Sequence, residues 1–134
     1  MAGFGRIAVE DDRDCECISK VALNAKATLV KAGLASEEQT YEDVTVWLRA
    51  SSSRFEMNDG EHAWGRYVPL GETRGALDLE RFGRSFAHEL FHHLDLTRDG
   101  ATVWETAKHE GWEERGVFDA VKPAWWYADN LHCR

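Results

Sequence analysis

No apolar run in the chain approaches the roughly 18 residues that a membrane-spanning helix needs, so no membrane span is expected. The opening residues MAGFGRIAVEDD lack the charged and apolar regions of a secretion signal, and the expected compartment is the cytoplasm. Basic residues are in deficit: 16 Lys and Arg stand against 24 Asp and Glu, a formal charge of −8. A surface of that sign repels phosphate backbones, and no basic stripe offsets it, which excludes nucleic acid as the expected partner. Cysteine is scarce and odd in number. Cys15, Cys17 and Cys133 form no regular framework, which argues against a disulfide scaffold, and the expectation is three reduced thiols. Cys15 and Cys17 do not combine with His132 and Cys133 at zinc-finger spacing. Repeats, low-complexity tracts and an interdomain linker are also missing, so residues 1–134 read as one domain.

What is present suits a globular α+β domain. The 134 residues are 43% hydrophobic and include six tryptophans, which are expected as core or groove walls. Met1 to Glu10 is a short strand or an ordered arm. Asp11 to Gly33 reads as a helix: Ile18, Val21, Ala22, Ala25, Leu29 and Ala32 recur at helical steps, with acids at one end and Lys31 and Gly33 at the other. Ser36-Glu37-Glu38-Gln39 has the form of a capping box before at most a turn or two of helix. Val44 to Arg49 is a β-branched and aromatic strand. After the Asn58-Asp59-Gly60 turn, Ala63 to Val68 and Ala76 to Leu79 read as further strands. Arg81 to about Leu96 is a second helix, with Phe82, Phe86, Leu90 and Leu94 expected to face inward. Ala101 to Glu114 is a weaker helical stretch, and Pro123 suits the start of a last helix over residues 124–132.

The second helix carries His88-Glu89-Leu90-Phe91-His92, the pattern H-E-x-x-H. Residues four apart share a helix face, so both imidazoles are presented together and can hold Zn2+. Glu89 lies about 100° round the helix, within reach of a metal-activated water without being a ligand. As general base it would take a proton from that water and return it to a leaving amine. His93 faces away from the pair and is expected to support the site or lie at the surface.

Phe86 to Asp95 (FAHELFHHLD) resembles the active-site helix of zincin metallopeptidases, in the HExxHxxD version of lethal-factor-like and phage or mobile-element members. The resemblance implies a minimal zincin fold: a backing helix, a small and mostly antiparallel sheet, the H-E-x-x-H helix and C-terminal helices. It implies a zinc-dependent endopeptidase acting on a peptide or protein substrate, which could pair with an exposed edge of the strand Ala63 to Val68 or of Ala76 to Leu79. An alternative from another class is an inactive zincin-like module that binds a partner or a structural zinc.

A catalytic zinc also needs a third protein ligand. Arg98 stands where metzincins carry their third His. Asp95 is expected to orient a neighbouring backbone or histidine. Lethal-factor-like members carry a ligating Glu in a Glu-aromatic-aromatic-Ala-Glu run, whereas this chain reads Trp125-Trp126-Tyr127-Ala128-Asp129. Trp125 therefore occupies the ligand position. Asp129 is the favoured third ligand, with Glu113, Glu110, Glu114 and His109 as the other candidates. The resemblance also suggests Tyr127 as a hydrogen-bond donor to the oxyanion.

Overall fold

A computed structural model describes residues 3–57, 60–98, 109 and 111–121. Strand β1 (Phe4–Val9) leads through helix α1 (Cys15–Lys31) to β2 (Tyr41–Leu48). The small strands β3 (Phe55–Glu56) and β4 (His62–Ala63), then β5 (Gly65–Pro69) and β6 (Gly75–Leu79), precede helix α2 (Phe86–Thr97) and the single turn α3 (Val117–Ala120). The architecture is mixed α+β. The main sheet has the order β1-β2-β6-β5, and β3 pairs with β4 separately.

The sheet corrects the expectation of mostly antiparallel pairing. β1 with β2 and β2 with β6 run parallel, and β5 with β6 is antiparallel. The cause is the connections. α1 is a crossover that returns the chain to the same end of the sheet, whereas β5 reaches β6 through a tight turn closed by Leu70 N–H on the Arg74 carbonyl at 2.9 Å. It also removes one of the two proposed substrate edges. Ala76 to Leu79 lies inside the sheet between β2 and β5, leaving β1 and β5 outermost.

α1 begins later than its acidic run suggests, because Asp14 caps it by accepting the Cys17 N–H at 2.7 Å. Gly33, with φ of 74°, ends it: Leu34 N–H returns to the Leu29 carbonyl at 2.9 Å, an arrangement that needs a left-handed residue. Its buried face (Ile18, Val21, Ala22, Ala25, Leu29) meets Val44, Val46 and Leu48 of β2 and Leu77 and Leu79 of β6 in one core. The residues after Ser36 form no helix; a Gln39 N–H to Ser36 carbonyl bond closes a turn and the chain enters β2 at Tyr41. The thiols also differ from expectation. Cys15 is free and exposed, but Cys17 is disulfide-bonded; an odd count leaves one thiol over and does not forbid a bridge.

α2 starts at Phe86 instead of Arg81. The reason is Glu80, fully buried at the end of β6. Its carboxylate accepts the backbone N–H of Phe82 at 3.0 Å and of Arg84 at 2.6 Å, bonds that hold residues 81–85 as a loop. Gly83 and Ser85 both take left-handed backbone, which breaks helical continuation. The buried Arg13 guanidinium, held by Asp11, donates to the carbonyls of Arg81 and Arg49 and ties this loop to the end of β2. α2 then packs on α1, β5 and β6, burying Phe86, Ala87, Leu90 and Phe91. The proposed last helix over residues 124–132 lies outside the described residues. No helix among those described is long and apolar enough to cross a membrane.

Candidate metal centre

His88 and His92 come off α2 one turn apart, with ring centroids separated by 5.2 Å. His109, from the segment after α2, meets them. Its Nε2 lies 3.1 Å from His92 Nε2, and one ligand nitrogen from each of the three rings falls within 4.8 Å of the others. Two nitrogens bound to one tetrahedral zinc at about 2.05 Å stand about 3.3 Å apart, so the closest pair already has nearly that separation. Burial holds the imidazoles below their ordinary pKa, His88 at about 4 and His92 at about 3, and also lowers His109. The three rings are therefore neutral near pH 7 and keep the lone pair that a metal takes. His92 is buried, His88 half-buried and His109 exposed, so the cluster opens to solvent on one side. Donor type and number fit zinc, and the wider nitrogen separations, up to 4.8 Å, would have to close toward about 3.3 Å on binding.

Glu89 is buried, and its Oε1 lies 4.0 Å from His88 Nε2. Burial pushes its carboxyl up to about 8. The close neighbour on its sheet side is β5. A Cβ added to Gly65 would stand 2.6 Å from Leu79 Cδ2, a clash that glycine avoids, and 3.4 Å from Glu89 Cγ, an ordinary contact that places this strand beside Glu89.

Trp112 supports the cluster. It is fully buried, and its ring centroid lies 4.5 Å from that of His92, 4.8 Å from His109 and 5.2 Å from His88. Its indole N–H donates to Asp95 Oδ2 at 2.8 Å. Asp95 Oδ1 also receives Arg115 at 3.1 Å and faces Arg98 at 3.5 Å. Asp95, three residues after His92, thus hydrogen-bonds the indole, and its charge also acts on His92. Phe118 closes the outer side of His109, with centroids 4.9 Å apart. His93 points away from the cluster, as expected, but is buried instead of superficial: its Nδ1 pairs with the Tyr67 hydroxyl at 2.8 Å.

Of the expected site residues, His88, Glu89 and His92 stand together. Glu113 and Glu114 are exposed and outside the cluster. Asp129, Tyr127, Glu110 and Trp125 lie outside the described residues. His109, one of the alternative third ligands, is the described candidate that joins the pair; a histidine 17 residues beyond His92 belongs to no local pattern. Sequence reasoning passed over Trp112 as one wall tryptophan among six. No family model, curated protein or solved structure matches the chain.

Proposed function

We propose that the chain is a zinc-dependent peptidase of zincin type, with His88, His92 and His109 as its metal ligands and Glu89 as its general base. The observation that carries this reading is the meeting of a third neutral imidazole with the H-E-x-x-H pair while a buried carboxylate stands beside them. Zinc held there would polarise a substrate carbonyl and make water a better nucleophile. Glu89 moves the proton. Buried beside the three imidazoles, its carboxylate is placed to accept a proton from water and then deliver it to the leaving amine. Trp112 and Asp95 keep the three rings in register. β5, outermost among the described strands and passing beside Glu89, offers an edge to an extended peptide.

The reading as an inactive binding module drew its motive from the missing Glu at Trp125. His109 supplies a third nitrogen donor without that Glu, so the motive weakens.

The test is digestion of a peptide library by protein loaded with one equivalent of zinc. Wild type is expected to cleave; Glu89→Gln is expected to keep zinc and lose about 10²–10⁴-fold in rate. Undiminished cleavage by Glu89→Gln, or none by zinc-loaded wild type, would overturn the proposal.

A further inference from the structure

The chain is acidic overall, yet four arginines gather around the start of β5. Arg49 and Arg66 share a single carboxylate, Asp78, at 2.8 and 2.9 Å, and both lie over the Phe55 ring. Arg84 and Arg54 lie over the Trp64 indole, 4.2 and 5.3 Å from its centroid. Among the described residues neither Arg54 nor Arg84 forms an ion pair with a carboxylate within 4.0 Å. The buried Glu80 carboxylate interacts with the Arg84 charge at longer range, but its oxygens accept the backbone N–H groups of Phe82 and Arg84 and not the guanidinium. The Arg84 Nε is buried with no hydrogen-bond partner, the only such side-chain atom among the described residues.

The position of this patch matters as much as its charge. Trp64 immediately precedes Gly65, where β5 passes beside Glu89. Arg84 sits on the loop that delivers α2, four residues before His88. A strand laid along β5 toward Glu89 would carry one of its side chains past Trp64.

We propose that Arg54 and Arg84, seated on the Trp64 indole, form a subsite for one acidic side chain of an extended peptide. The substrate class is then peptides with Asp or Glu at a fixed distance from the cleaved bond. This inference rests on the peptidase reading and adds its specificity. A guanidinium stacked on an indole keeps its edge N–H groups free for a carboxylate, and the ring face displaces water that would screen the pair. Net charge decides between a single carboxylate and a polyanion. Beyond about one Debye length the remaining surface is acidic and repels an extended chain of phosphates, whereas one carboxylate senses mainly the local arginines.

The experiment compares cleavage profiles of zinc-loaded wild type, Arg54→Ala and Arg54→Glu on one peptide library. Arg54 is exposed, so both variants are expected to fold. Wild type should enrich Asp or Glu at one subsite; kcat/KM for an acidic over a neutral peptide should fall about fivefold to tenfold in Arg54→Ala. Arg54→Glu should shift the preference toward Lys or Arg. Cleavage without acidic enrichment, or enrichment untouched by Arg54→Glu, overturns this inference and leaves the peptidase intact. Absence of cleavage removes the peptidase reading instead. The pair is then judged by fluorescence polarisation of a labelled Glu-containing peptide: tighter binding to wild type than to Arg54→Glu supports an acidic site, and equal binding overturns it.

Discussion

Replacing Asp95 with Ala should damage zinc binding although Asp95 is not a ligand. Its carboxylate accepts the indole N–H of a fully buried Trp112 at 2.8 Å and an Arg115 guanidinium N–H at 3.1 Å. Hydrogen bonds to a charged acceptor contribute about 1.5–3 kcal/mol, and a buried indole N–H left without a partner costs about 1–3 kcal/mol. These figures overlap in what they count, so the expected loss of stability for the metal-free protein is about 2–3 kcal/mol. Trp112 touches all three histidine rings, so loosening it should cost about tenfold to a hundredfold in zinc affinity. Asp95→Asn keeps an oxygen for the indole and should lose about 1 kcal/mol. Arg115→Ala removes an exposed pair, a bond to the Gly111 carbonyl and a contact over the Phe91 ring, and should lose about 1 kcal/mol. The assays are urea unfolding of chelator-treated protein and competition titration against a zinc dye. An Asp95→Ala variant with wild-type zinc affinity would refute the link through Trp112, whatever its stability.

Three further outcomes follow from the same contacts. His109→Ala should weaken zinc binding at least about a hundredfold, while Glu113→Ala and Glu114→Ala leave it unchanged, as read by the same dye competition. In the metal-free protein, His88 and His92 have depressed folded pKa values, so their contribution is present above about pH 6.5 and is lost as pH falls toward 4. Glu89 has the opposite sign: its folded pKa of about 8 against 4.5 gives stability that is full at acid pH and is lost as pH rises between those values. Melting curves of chelator-treated Glu89→Gln should therefore gain on wild type from pH 5 to pH 8; a constant offset would contradict the burial of that charge. Glu80→Ala, which strips two backbone N–H groups of their acceptor and empties a buried position, should lose about 2–4 kcal/mol in urea unfolding.

The legible parts of the chain were those encoded at short range. The 3.6-residue period of Ile18, Val21, Ala22, Ala25 and Leu29 gave the buried face of α1, and the i, i+4 spacing of His88 and His92 put two imidazoles together. What escaped depended on contacts distant in sequence. The sheet's parallel pairings follow from how α1 returns the chain. The start of α2 was misjudged because the apolar period runs back through Phe82, while the carboxylate of Glu80 holds residues 81–85 in a loop. The third imidazole and Trp112 both come from the stretch after α2, where Gly111 and Gly116 erase any period; only the folded path brings them to His92. Asp95 is expected to orient a neighbouring backbone or histidine, but its hydrogen-bond partner is an indole 17 residues away, which spacing does not reveal.

The account depends most on a zinc centre held by three imidazoles next to Glu89. X-ray absorption at the zinc edge of protein loaded with one equivalent tests this directly. The account predicts three imidazole nitrogens at about 2.0–2.1 Å in wild type and two in His109→Ala. A wild-type first shell of two imidazoles with a carboxylate or thiolate, or a spectrum unchanged by His109→Ala, would contradict it.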